Sequence, residues 1–188
     1  MTIRVLDDAD YEEQIRINER DRFRGLVLEA AAGKRPTVRV PMDAQLMKPN
    51  LYCVGITGVA DVTLRGFRIE ESKALGSIWL TGASSGALLE NLDLVAGPGG
   101  DCVEIAELQL SRNDAPIVIQ NCALHKGGSG VSVYARINNP PFDQPVPCAN
   151  VVIRNNEFFD MPQGAIVLAG SPQLWPLHNY CRFLLRNR

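Results

Sequence analysis

The sequence has no surplus of positive charge, no long apolar run and no cluster of histidines or paired cysteines, and each absence excludes something. Nineteen Lys and Arg stand against 21 Asp and Glu, for a formal net charge of −2 and a pI near 5.7. No basic field is therefore available to draw in nucleic acid or an anionic lipid surface. No apolar stretch approaches the ~20 residues of a membrane-spanning helix, so no membrane insertion is expected. The opening Met1 to Asp7 lacks the basic-then-apolar order of a secretory leader. His125 and His178 each stand alone, and Cys53, Cys102, Cys122, Cys148 and Cys181 include no Cys-x-x-Cys pair. Neither a metal site nor a cofactor is expected from such spacing. The odd cysteine count leaves at least one free thiol in a monomer, and spacing does not say how the others stand.

What is present is ordinary globular composition. The chain has 188 residues, 46% hydrophobic and 21% charged, enough for one domain over residues 1–188 with a sizeable core. Amphipathic helical periodicity is missing, and an internal repeat takes its place. Four stretches superimpose: Val62 to Ile69, Ala87 to Leu94, Ile117 to Leu124 and Val151 to Phe158, with a fifth beginning at Phe183. Their starts lie 25, 30, 34 and 32 residues apart, so the motif is constant while the period varies.

Each motif reads as two short alternating strands hinged at Gly66, Asn91, Asn121, Asn155 and Asn187. Glycine and asparagine are the residues that enter the left-handed region most readily, so this column predicts a sharp bend in every coil. Stacked asparagines are also expected to bond to one another as a ladder. Fourteen to sixteen residues after each motif start comes a third strand: Ile78 to Leu80, Val103 to Ile105, Val131 to Val133 and Ile166 to Leu168. Apolar residues two apart mark these as half-buried strands. Three strands per coil with one constant bend describe a parallel β-helix.

Upstream, Ile3 to Val5, Ile15 to Ile17, Leu26 to Leu28, Val38 to Val40 and Tyr52 to Ile56 are strand-like and add two looser coils over residues 1–57. Regular coils follow over 58–188, for about six in all and a rod of roughly 30 Å. The last motif is cut off, so the chain reads as a segment of something longer. Its compartment stays open, extracellular or cell-surface if that longer protein is exported.

The hinge column and the coil rhythm resemble the right-handed parallel β-helix proteins of the pectin-lyase-like superfamily. Thr2 to Asn18 is similar to a first coil of that group, and Gly25 to Val40 to the next. Val62 to Ile69 (VTLRGFRI) also resembles β-helix regions of large bacterial multidomain proteins, some attached to Ser/Thr kinases, although no kinase motif lies in this chain. The resemblance implies an all-β, right-handed, single-stranded parallel β-helix. It does not imply one activity, because the fold carries lyases, hydrolases, esterases and non-catalytic modules.

Comparison with the enzymes of that superfamily leaves incomplete sets. Gly100 to Ile105 (GDCVEI) and Gly128 to Val133 (GSGVSV) resemble the polygalacturonase pair, in which two carboxylates act as acid and base. Gly100 replaces the first aspartate, Asp101 remains, and Ser129 stands where that family has histidine. No aspartate follows Leu124 to match the methylesterases, and no carboxylate cage of a calcium-dependent lyase is visible. Asp101 and Glu104 are the only candidate catalytic groups. Asp101 otherwise reads as a turn residue bonded to backbone N–H groups, and His125 as a solvated or satisfied side chain.

The outward column of the third strands reads Trp79, Glu104, Ser132 and Val167, and the next reads Thr81, Ala106, Tyr134 and Ala169. Trp79 is placed to stack on a sugar, Glu104 and Ser132 to take hydroxyl hydrogen bonds, and Tyr134, Arg136 and Phe142 to extend the patch. Loops leaving this column lengthen along the chain and end in the proline-rich Asn139 to Pro147. A second face is apolar, with Leu88, Val118 and Val152 in line as a possible protein-partner surface. The sequence thus reads as a non-catalytic module that binds carbohydrate or a protein partner. The alternatives are a polysaccharide-active lyase or hydrolase, and a structural spacer or sensory region. Two carboxylates in reach of one another at Asp101 and Glu104 favour the enzyme, and an aromatic groove poor in carboxylates favours binding.

Overall fold

The computed structural model describes residues 1–40, 52–71, 76–108, 114–134, 150–169 and 181–184. The first coil runs through β1 (Thr2–Val5), β2 (Asp10–Glu12) and β3 (Ile15–Ile17), and the second through β4 (Val27–Ala30), β5 (Thr37–Arg39) and β6 (Tyr52–Thr57). The third holds β7 (Thr63–Arg65), β8 (Arg68–Glu70) and β9 (Gly76–Gly82), and the fourth β10 (Leu88–Glu90), β11 (Asp93–Val95) and β12 (Asp101–Leu108). Coil five is β13 (Ile117–Gln120), β14 (Ala123–His125) and β15 (Ser129–Tyr134), and coil six β16 (Val151–Arg154), β17 (Glu157–Phe159) and β18 (Gly164–Ala169). A last strand, β19 (Cys181–Leu184), pairs with β16. The only described helix is a single turn, α1 (Arg20–Phe23), between β3 and β4.

Each coil contributes one strand to each of three sheets. Strand order is β1-β4-β7-β10-β13-β16-β19 in the first, β2-β5-β8-β11-β14-β17 in the second and β3-β6-β9-β12-β15-β18 in the third, read from either end. Every pairing is parallel. The architecture is an all-β parallel β-helix of about six coils.

The repeat works because every coil delivers the same inward positions. Leu28, Leu64, Leu89, Ile119 and Ile153 stack in register in the first sheet, and Val38, Ile69, Leu94 and Leu124 in the second. Val54, Ile78, Val103 and Val131 do so in the third, with Ile56, Leu80, Ile105 and Val133 alongside. All of these are buried, and each stabilises the stack by about 1.5–3 kcal/mol relative to exposure. Ile3 faces the same way as Leu28, yet it is 45% exposed because β1 is the edge strand of its sheet.

Gly66, Asn91, Asn121 and Asn155 have φ of 82°, 51°, 55° and 55°, all in the left-handed region. The ladder expectation is corrected in one respect. Asn91, Asn121 and Asn155 are exposed, and among the described residues their carboxamides do not bond to one another. The left-handed bend turns each Cβ away from the core, and backbone bonds join the turns instead, as from Asn91 N to Gln120 O at 3.2 Å. The internal amide is Asn156, one step on, which accepts from Cys122 N and donates to Ile119 O, both at 2.9 Å. Asn187 lies outside the described residues. Asn121→Ala is expected to lose about 1–2 kcal/mol, and Asn121→Gly to lose none, measured as urea midpoints at constant slope.

Candidate functional site

The outer face of the third sheet collects the chemistry. Register places Gly55, Trp79, Glu104, Ser132 and Val167 in one column, and Thr81, Ala106, Tyr134 and Ala169 in the next. At the heads of these strands a further row reads Tyr52, Gly76, Asp101, Ser129 and Gly164. Tyr52 joins this face through its register, which the strand pattern of Tyr52 to Ile56 does not announce.

Asp101 is the first residue of β12 and is 8% exposed. Its Oδ1 accepts a hydrogen bond from Ser132 Oγ at 2.8 Å, and Ser129 and Tyr134 also bond to the carboxylate. The expected turn residue on backbone N–H groups is therefore a strand residue held by hydroxyls, because β12 begins at this position. Burial pushes its carboxyl above the usual range, and the three hydroxyls only partly offset that.

Three residues along β12, Glu104 accepts the Tyr52 hydroxyl on Oε2. The Tyr52 ring stacks on Trp79 at 5.9 Å between centroids and 16° from parallel. Tyr52 is 3% exposed, while Trp79, Glu104 and Tyr134 are half-buried. The phenols of Tyr52 and Tyr134 are raised, first by burial and then by the nearby carboxylates. Each tyrosine feels both Asp101 and Glu104, so the two acids share one neighbourhood. Perturbed groups gathered on one face, where the fold itself needs none, mark a functional-site candidate. Arg136 and Phe142 lie outside the described residues.

A second polar cluster lies on the second sheet. His125 is 8% exposed rather than solvated, and its Nε2 lies 2.6 Å from Asp93 Oδ1. Asp93 also accepts from Arg68, which bonds to Glu70, and the His125 ring stacks on Phe159 at 4.5 Å. His125 Nδ1 is buried with no partner. Strand spacing brings this about, since the two residues sit on adjacent strands, two positions apart in register and therefore on the same face.

The apolar line of the first sheet, Thr63, Leu88, Val118 and Val152, is in register and half-buried. It is one residue wide, beside the polar column of Arg65, Glu90, Gln120 and Arg154. In that column Gln120 Nε2 donates to Glu90 at 2.6 Å and Arg154 Nε to Gln120 at 2.8 Å. Cys53, Cys102 and Cys122 are free and buried, with burial pushing the thiols of Cys102 and Cys122 up to about 12. Among the described residues no group of three His, Cys, Asp or Glu is placed to hold a metal ion, and no helix is long and apolar enough to cross a membrane.

No protein-family model matches this chain, and no curated protein or solved structure matches it either.

Proposed function

We propose that the third-sheet face is a carbohydrate-binding surface and that the chain is a pectin-lyase-like β-helix module of a larger bacterial protein. The observation behind this reading is the in-register convergence of Trp79, Glu104 and Ser132 with Asp101 and Tyr134 alongside. A half-buried indole offers an apolar plate for a sugar face, and the half-buried Glu104 and Tyr134 beside it fix the orientation of ring hydroxyls, while the fully buried Ser132 serves as a donor to Asp101 rather than as a ligand contact. A rigid stack of strands holds these groups without the ordering cost that a flexible loop would pay on binding.

A second reading, a polysaccharide-active enzyme, is favoured by one observation. Asp101 is a buried carboxyl whose pKa burial raises, and it shares its tyrosine neighbours with the carboxylate of Glu104, a pairing of two acids that chemistry on glycosidic bonds uses.

Affinity gel electrophoresis against polyuronates and neutral glycans, with product assays on the same samples, separates the two. Retardation without new reducing ends or unsaturated products is the expected result. Trp79→Ala should then weaken retention at least tenfold, about 1.4 kcal/mol or more. New products that disappear in Asp101→Asn would install the enzyme instead. Neither retardation nor products would leave a structural spacer.

A further inference from the structure

Tyr52 stands at the head of β6, in register with Gly76 and, one coil further, with Asp101. Its ring does not stay on its own coil. It covers Trp79 in the next coil and delivers its hydroxyl to Glu104 in the coil after that. The path exists because position 76 has no side chain, since a Cβ there would stand 2.8 Å from Tyr52 Cε1. One face of Trp79 and one oxygen of Glu104 are thus occupied by the chain itself.

The phenol does in this slot what a pyranose does on a binding surface. It lays a flat apolar face against the indole and puts a hydroxyl on a carboxylate. Resting on the carbohydrate-binding reading, we propose that Tyr52 is a built-in occupant of the sugar subsite between Trp79 and Glu104, and that the ligand is a hydroxylated six-membered ring which enters by displacing it. The phenol is an O–H donor at physiological pH even at its ordinary pKa, and burial and then Glu104 raise it further, so pH does not open the slot in the neutral range. Apparent affinity is lowered by the fraction of molecules in which the slot is shut, and a variant that removes the occupant removes that factor. A purely structural Tyr52 predicts the reverse, because its loss opens a hole beside Trp79 and loosens the plate on which the sugar stacks.

The test compares wild type with Tyr52→Phe, Tyr52→Leu and Tyr52→Ala, each carrying Trp175→Phe so that Trp79 is the only indole of the chain's two. The probes are p-cresol, which is the tyrosine side chain as a free molecule, and oligosaccharides of neutral β-glucan and of polygalacturonate. The expected result is quenching of Trp79 fluorescence by p-cresol in the Leu and Ala variants and not in wild type. Oligosaccharide should bind those two at least tenfold more tightly than wild type, with Tyr52→Phe in between because only the hydroxyl bond is gone. Equal or weaker oligosaccharide binding by the Leu and Ala variants would overturn the displaced occupant while leaving the carbohydrate surface standing. Uptake of p-cresol with no oligosaccharide bound by any variant would sustain the ring slot and overturn the carbohydrate reading. Uptake of neither probe by the open variants would overturn both. The Leu variant keeps an apolar residue at the head of β6 but has no ring to lie on Trp79 and no hydroxyl for Glu104, so the slot is open in it too, and it carries the test if the Ala variant does not fold.

Discussion

Gly76→Ala is expected to lose about 3 kcal/mol or more of folding stability, while Gly55→Ala is neutral or up to about 1 kcal/mol stabilising. The two glycines lie on consecutive coils of one face and differ in what stands over them. An added Cβ on Gly76 would sit 2.2 Å from the carbonyl oxygen of Asp101 and 2.8 Å from Tyr52 Cε1. The first of these atoms is backbone, in the strand that β9 pairs with, so relief requires β9 and β12 to part at the head of the site. The Cβ on Gly55 would meet nothing within 4 Å. Neither position has a left-handed φ, so conformational strain does not separate them. Urea denaturation decides the matter, with the midpoint falling for Gly76→Ala and the slope unchanged. A Gly76→Ala midpoint within error of wild type would mean that Tyr52 and β12 are loosely placed, and the closed slot would lose its footing.

The coils were legible in the sequence wherever the same inward positions recur. Leu64, Leu89, Ile119 and Ile153 align at once, and the hinge residues between them admit only one kind of bend. The outward columns followed from the same alignment, which placed Trp79, Glu104 and Ser132 in register. The first two coils were harder, since β2 is three residues long and α1 a single turn with no buried residue. The contacts that leave their own register were not legible. Tyr52 reaches Glu104 across 52 residues by passing over a glycine, and period-two reasoning about neighbouring strands contains no such path. Asp93 and His125 pair diagonally, where alignment matches Asp93 with Ala123 and Val95 with His125. A repeat announces what is common to all coils, and the candidate site is built from what differs between them.

Asp93 and Asp101, one on the second sheet and one on the third, are expected to shift stability in opposite directions when neutralised. Burial pulls the Asp93 carboxyl up, but the bonds from His125 and Arg68 outweigh it and hold the group below its ordinary 3.8. A depressed native pKa contributes stability that is present above the unfolded value and lost as pH falls through the native one. Asp93→Asn should therefore lose about 2 kcal/mol at pH 7, a figure held down because Arg68 is one-third exposed and keeps Glu70. The deficit should shrink as pH drops below about 4 and wild type itself loses the pair. Asp101 runs the other way. Burial raises its carboxyl above 3.8 in spite of its hydroxyl partners, so the charged form opposes folding at neutral pH, and the opposition fades as pH falls through the raised native value. Asp101→Asn keeps an acceptor for Ser132 and sheds the charge, and it should be more stable than wild type at pH 7 and converge with it in acid. Urea titrations of the three proteins between pH 3 and 7 read both signs together. An Asp101→Asn protein no more stable than wild type at pH 7 would show that the hydroxyl shell fully satisfies the carboxylate, leaving it structural. The expected gain would mean that the fold carries a charge it is better off without, which is how a residue kept for a ligand behaves.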